Sequence, residues 1–360
     1  MNTLNYIGCK NTLYKTLLTI INDNIKNIKD KTFLDLFAGT GIVGFNMMEY
    51  FKKCDANDLE FYSYIINYAL LKCSYSESLQ KIIEECNELS LIEGLIYKNF
   101  SPNENCQRMF FTNKNAQKAD AIRQHIEIKY NNKNINLSEY YFLLASLLVS
   151  IDKVANTTCV YGAYLKEYKK SALKDILLQP IHTRICNIDT IPNMAYNLNE
   201  NNVYNISAEK FSETEASYYD VIYIDPPYNQ RQYSANYSPL NYIAHYDKSI
   251  VLKGKTGLIH NYNKSNFCKK TEVKNAFVNL IDGLKCNYLF ISYNNEGLLQ
   301  RDEFEKILLK KGSVKLYKIK YGKFKAQQNV EKKFVEEYLW VIDTSKIGTM
   351  IEEFYIDLIK

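Results

Sequence analysis

Apolar residues recur at helical spacing near the start of the chain. Leu13, Leu17, Ile20, Ile21 and Ile25 follow Asn11-Thr12 and predict a first amphipathic helix with a capping region just ahead of it. A strand is predicted at about 32–37, then a glycine loop and a helix from roughly 41 to 51. A short, weakly apolar strand near 53–57 leads into a helix carrying Tyr62, Ile65, Ile66, Ala69 and Leu70. This β-α-β-α beginning predicts an open α/β sheet. From about 75 to 195 the pattern changes to helical stretches with Asn- and Lys-rich connections, including a very apolar run at 140–151. That segment predicts an inserted, mainly helical domain, with 1–74 and 196–360 forming the α/β domain around it. Strand signals return at 220–224, 287–293, 314–321 and 337–342, with helices near 272–284 and 302–310. The last two strands, joined by a charged loop, predict an antiparallel edge. No internal repeat or low-complexity tract stands out.

Composition adds bounds. With 360 residues, 46% of them hydrophobic and only 13 Gly and 6 Pro, the chain can bury a substantial core. No apolar run approaches a membrane span, and Met1-Asn2-Thr3-Leu4 is not a basic region leading into a hydrophobic one, so a cytoplasmic protein is expected. The 9 cysteines include no Cys-x-x-Cys pair, and the 4 histidines are dispersed; reduced thiols and no metal site are expected. The net charge of +5 is modest but unevenly spread. Segment 253–270 has five lysines and no acid, 310–325 has seven and no acid, and 106–175 has eleven Lys or Arg against six acids. Lysines interleaved with Tyr and Asn suit a surface that follows a phosphate backbone.

Two strings carry chemistry. Phe33-Leu34-Asp35-Leu36-Phe37-Ala38-Gly39-Thr40-Gly41-Ile42-Val43-Gly44 fits strand, tight glycine turn and helix, and Asp58 and Glu60 follow at the interval of an acid that grips ribose hydroxyls. By itself this suits a nicotinamide cofactor as well as S-adenosylmethionine. Far downstream, Asp225-Pro226-Pro227-Tyr228 ends the apolar run Val221-Ile222-Tyr223-Ile224. Pro-Pro fixes two φ angles and withholds two N–H donors, giving a rigid, extended loop with bare carbonyls. Such a loop suits a nucleic-acid base. Asp225 and the Pro226 carbonyl can accept the hydrogens of an exocyclic amine and localise its lone pair, while Tyr228 offers a stacking face. A dehydrogenase has no use for that tetrapeptide, so together the strings predict an enzyme that methylates a base amino group. Three Glu-x-Lys patterns, at 127–129, 272–274 and 331–333, lack a paired Asp and read as chance.

With these residues in view, the chain resembles the Dam-type family of adenine-specific (N6) DNA methyltransferases, particularly modification enzymes of restriction systems. The resemblance covers nearly the whole chain and is carried by Tyr6-Ile7-Gly8-Cys9-Lys10, Phe33 to Gly44, Ala56-Asn57-Asp58-Leu59-Glu60, Asp225 to Tyr237, and Ile291 to Glu296. Val154 to Thr157 and Tyr161 to Lys166 look like family text from the DNA-facing insertion. The resemblance implies a Rossmann-like S-adenosylmethionine-dependent sheet with an inserted, mainly helical target-recognition domain. It implies that Tyr6, Lys10, Asp35, Phe37, Gly39, Gly41 and Asp58 bind S-adenosyl-L-methionine and that Asp225, Pro226, Pro227 and Tyr228 hold a flipped adenine. Double-stranded DNA is the implied partner, with a cognate restriction endonuclease acting separately and the enzyme a monomer. Cys9 stands where relatives often have Ser or Gly. In Asn205 to Phe211, Ser207 or Glu209 must replace the Asp that the family usually places near the cofactor's adenine. A nicotinamide-dependent oxidoreductase and a catalytically silent nucleic-acid-binding relative are the alternatives.

Overall fold

A computed structural model of the chain describes residues 1–6, 13–185, 198–214, 218–294, 297–322 and 334–358. Helix α1 (Tyr14–Asn24) buries Leu17, Ile20 and Ile21, as its spacing predicts; the capping pair Asn11-Thr12 lies outside the described residues. The α/β beginning follows as β1 (Thr32–Asp35), α2 (Ile42–Met47), β2 (Lys53–Asn57) and α3 (Phe61–Lys72). Four helices come next: α4 (Glu77–Glu88), α5 (Leu95–Phe100), α6 (Asn113–Asn131) and α7 (Leu137–Lys153). Their starts are set by local side chains: the Ser76 and Thr112 hydroxyls accept from Leu79 N and Asn115 N, and Asn136 and Glu139 close a reciprocal capping box on α7.

The second half supplies β3 (Val203–Tyr204), α8 (Ala208–Thr214), β4 (Tyr219–Ile224), α9 (Tyr233–Asn236), α10 (Ser238–His245), the two-residue strands β5 (Leu252–Lys253) and β6 (Leu258–Ile259), α11 (Val273–Gly283), β7 (Cys286–Asn294), α12 (Arg301–Lys311), β8 (Ser313–Gly322), β9 (Phe334–Asp343) and β10 (Ile351–Asp357). Among the described residues, eight strands form one sheet in the order β10-β8-β9-β7-β4-β1-β2-β3. All neighbours run parallel except β9, which is antiparallel to both β7 and β8. The sheet is therefore α/β and mostly parallel, as the pattern predicts.

Side-chain alternation sends the two faces of the sheet into two cores. Phe33, Val221, Tyr223, Phe290 and Val341 pack with α1, α3, α6 and α7, whereas Leu34, Ile222, Ile224, Leu289 and Trp340 pack with α8, α11 and α12. The helices between β2 and β3 join the first of these cores: Leu143 and Leu147 of α7 belong to the same buried cluster as Ile65 and Ala69 of α3.

The edge of the sheet differs from the sequence reading. β8 and β9 are antiparallel as expected, but β9 lies inside the sheet and β10, pairing parallel with β8, forms the edge. The run Ile351-Glu352-Glu353-Phe354-Tyr355-Ile356-Asp357 is largely exposed, so it lacks the apolar alternation by which a half-buried strand is recognised. The two-residue strand β3 at the other edge is missed for a related reason: it is too short to show a period.

The strand order also fixes where a site can form. From β1 the chain proceeds to β2 on one side and later to β4 on the other, and this reversal opens a crevice at the carboxyl ends of β1 and β4.

Candidate active site

The glycine turn after β1 is held from below by α3. Gly39 and Gly41 have φ of 50° and 73°, a region costly for side-chain-bearing residues. A Cβ on Gly41 would stand 2.6 Å from Leu70 Cδ1 and 2.9 Å from Asn67 Oδ1. Gly44 has no such constraint: its nearest neighbours would be Leu71 methyls at 3.7 Å. Ser63 Oγ donates to the Gly39 carbonyl at 2.6 Å, and the Gly39 N–H donates to Asp58 Oδ2 at 2.7 Å. The other Asp58 oxygen accepts from Glu60 N at 2.8 Å. Asp58 thus latches the turn, and a carboxylate's further lone pairs still allow it a ligand.

Acids converge here. Burial, together with the charges of Asp225 and Asp58, holds the Asp35 carboxyl well above the usual carboxylate range, and its Oδ1 is buried without a hydrogen-bond partner among the described residues. Burial also raises Asp58. Glu60, at the start of α3, is 4% exposed, and burial pushes its carboxyl up to about 7 against hydrogen bonds from Ser234 and Asn241. Asn241 Nδ2 donates to Glu60 Oε2 at 2.6 Å, the Ser234 hydroxyl donates to the other oxygen, and Asn241 Oδ1 accepts from Tyr62 N at 3.1 Å. Through Glu60 the loop after β2 is tied to α9 and α10, which follow the Asp225 to Tyr228 segment.

That segment leaves β4 at the crevice. The Tyr228 carbonyl accepts from Leu298 N at 3.1 Å, and Gln232 exchanges two hydrogen bonds with Ser265, its Nε2 donating to the carbonyl at 3.1 Å and its Oε1 accepting from the N–H at 2.8 Å. Behind them Tyr6 stacks on Tyr237 at 4.6 Å, with Tyr233 at 5.5 Å, and its hydroxyl accepts from Tyr62 at 3.2 Å.

One cavity of about 320 Å³ joins these parts, and Tyr6, Asp35, Phe37, Gly39, Asp58, Asp225, Pro226, Pro227 and Tyr228 all line it. Ser207 and Glu209, at the start of α8, line it as well. Gly41 stands just behind the wall, turned toward α3, while Lys10 lies outside the described residues. The sequence reading missed Asn263, Lys264, Ser265 and Asn266, which form one lip of the cavity. Their only signal was a lysine run, which says nothing of where the loop folds.

A model of the D12 class N6 adenine-specific DNA methyltransferases matches residues 6–307. The chain belongs to this family. Type II methyltransferase M.NlaIII of Neisseria lactamica is 39% identical over 347 residues, 94% of this chain and 99% of that protein. Type II methyltransferase M.CviAII of Paramecium bursaria Chlorella virus 1 is 38% identical over 349 residues, 95% of this chain and 99% of its own. Type II methyltransferase M.FokI of Planomicrobium okeanokoites is 36% identical over 94% of this chain, which spans only 52% of its length. The chain is an adenine-specific DNA methyltransferase, as its motifs led one to expect, and the oxidoreductase alternative falls away.

The basic runs of this methyltransferase separate by location. Lys311 donates to the Asp282 and Leu284 carbonyls at 3.2 and 2.8 Å, Lys315 to Asn24 at 3.0 Å, and Lys318 pairs with Glu353 at 2.5 Å. Ser313, where β8 begins, is level with Asp343 and hence with Tyr288 near the start of β7, at the end of the sheet opposite the cavity. The lysines near the start of β8 bind their own chain and lie far from the cavity; Lys323 and Lys325 lie outside the described residues. Much of the charge in 106–175 is likewise internal, as in Lys114 with Asp175 at 2.7 Å, Arg123 with Glu127 at 2.6 Å and Lys129 with Glu85 at 2.6 Å. Lys253, Lys255 and Lys264 are exposed instead, and Lys264 lines the cavity.

Proposed function

We propose that this methyltransferase uses S-adenosyl-L-methionine to methylate the N6 amine of an adenine flipped out of a specific duplex sequence. The observation that carries the choice of donor is the meeting of Asp35, Asp58 and Asp225 in one cavity, with a buried Asp35 oxygen that has no hydrogen-bond partner among the described residues. An acidic cavity suits a sulfonium and an ammonium, and opposes the two phosphates of a dinucleotide. When bound, S-adenosyl-L-methionine supplies an electrophilic methyl group.

In this reading Asp35 faces the donor's ammonium, and Lys10 its carboxylate. Asp58, already the latch of the Gly39 turn, keeps acceptor capacity for ribose hydroxyls, and Phe37 and Tyr6 supply apolar walls. Ser207 or Glu209, both on the cavity wall, meets the donor's adenine. On the other side Asp225 and the Pro226 carbonyl accept the two hydrogens of the target amine, localising its lone pair as it gains positive charge. Pro227 keeps the loop extended, and Tyr228 stacks on the extruded base, offsetting part of the few kcal/mol lost on unstacking.

Residues 75–195 act as the target-recognition part and the rest as the catalytic part. The relatives' names as type II methyltransferases support a cytoplasmic modification enzyme paired with a separate restriction endonuclease. Long-read methylation mapping of DNA from cells expressing the chain tests the reading. N6-methyladenine at one recurrent sequence is expected; unmodified DNA, or methylation on cytosine, would sink it.

A further inference from the structure

The helical region and the segment after α10 meet at one side chain. Arg108, between α5 and α6, donates from Nε to the Lys255 carbonyl and from Nη2 to the Gly254 carbonyl, both at 3.1 Å, and from Nη1 to the Asn99 carbonyl at 3.0 Å. The first two carbonyls belong to the turn of the β5–β6 hairpin and the third to α5. Gly257 in the same turn has φ of 68°, and a Cβ there would stand 3.0 Å from Arg108 Cζ and Nε. The turn is therefore shaped around the guanidinium, whose fixed fork of donors suits several carbonyls at once.

The hairpin has no acid to answer this charge: residues 251–271 contain none. Lys253 and Lys255 are exposed and make no ion pair among the described residues, and Gly254 has nothing within 4 Å of where a Cβ would be. At the other end the hairpin is fastened, with Ile259 N donating to Ser238 Oγ at 2.9 Å and His260 N to the Val251 carbonyl at 2.9 Å. The chain then runs directly into Asn263 to Asn266 on the cavity lip. Lys255 is eight residues from Asn263 in the sequence, so it stands at most about 28 Å from that lip, within one turn of a duplex.

We propose that the β5–β6 hairpin is a docking finger that lays Lys253 and Lys255 against the phosphates flanking the target adenine, and that Arg108 is the positioning residue that sets its direction. The proposal rests on the reading of the chain as an enzyme acting on duplex DNA, and the backbone of that duplex is the finger's occupant. Arg108 is not assigned a phosphate itself, since three of its five N–H donors face carbonyls and Nη1 also faces Cys106 Sγ at 3.9 Å.

Salt titrations of binding to a duplex carrying the methylated sequence test this, with S-adenosyl-L-methionine calorimetry on each variant as the check on the fold. The double variant K253A/K255A should bind DNA roughly tenfold more weakly, with the slope of log K against log salt reduced by about 1.8 for two lost contacts. Both R108A and R108K should lose part of that slope, because a lysine keeps the charge but cannot span the three carbonyls. Adding R108A to K253A/K255A should reduce the slope no further. Near-normal binding by R108K, or a further drop of about 0.9 in the triple variant, would make Arg108 a phosphate contact and overturn its positioning role. Should R108A fail to fold, K253E/K255E decides alone: unchanged affinity and slope would remove the finger. Wild-type protein that methylates DNA while these variants bind normally would overturn this inference and leave the function standing; absence of DNA methylation by the wild type would overturn the function first.

Discussion

The backbone N–H of Gly39 donates to the Asp58 carboxylate at 2.7 Å across the ends of β1 and β2. The acid proposed to grip a ribose is thus also the latch of the turn on which the donor would rest. The two tasks separate experimentally. Asp58→Ala should weaken S-adenosyl-L-methionine binding in calorimetry by one to two orders of magnitude, and should speed exchange of the Gly39 amide in the free enzyme. Weakened donor binding with unchanged exchange would confine Asp58 to the ligand.

The two positive-φ glycines should not tolerate what Gly44 tolerates. Gly41→Ala brings a methyl to 2.6 Å from Leu70 Cδ1 at a φ of 73° and should cost about 2 kcal/mol or more in denaturant melts. Gly44→Ala meets ordinary contacts and should lie within about 1 kcal/mol of wild type. Equal losses at the two positions would show that the turn does not depend on the left-handed conformation.

Glu60 predicts a pH dependence of stability. Its carboxyl rises from 4.5 to about 7 on folding. For an acid raised in this way, stability is fully present below the unfolded value and declines as pH climbs toward the folded one, because only the unfolded chain releases the proton readily. Glu60→Gln should therefore gain stability relative to wild type between about pH 4.5 and 7, by roughly 3 kcal/mol at most. Parallel melting curves across that window would dispose of the idea.

Asp225 and Tyr228 should fail differently. Asp225→Ala removes an acceptor that matters most as the amine gains charge, so single-turnover methylation should collapse while donor binding persists. Tyr228→Phe keeps a stacking face and should retain partial activity, whereas Tyr228→Ala should be far worse. A fully active Asp225→Ala enzyme would remove the central claim about the base, and equal activity of the two Tyr228 variants would exclude stacking.

Lys311→Ala should lower stability by about 1 kcal/mol, because two carbonyls lose their donor, and leave DNA affinity unchanged. A fall in affinity at every salt concentration would return this lysine to the phosphate surface.

Much of this was legible in the chain itself. The two chemical strings, their order, and the central strands were readable because each rests on local rules: two glycines for positive φ, two prolines for an extended loop, and runs of apolar residues for strands covered on both faces. What distance in sequence conceals was decided by the fold. β1 and β4 are brought side by side with Asp35 level with Tyr223, and only this places Asp225 within electrostatic reach of Asp35. Glu60 looked like a second ribose acid until α9 and α10 closed over it with Ser234 and Asn241. The lysine runs, alike in composition, met different surroundings: Lys311, near the start of β8, is bound to carbonyls of its own chain, whereas Lys253 and Lys255 of the β5–β6 hairpin stand in open solvent. β10 gave no pattern because it buries little. Short-range periodicity reports how each segment meets water, whereas which segments meet one another depends on long-range packing that no local pattern encodes.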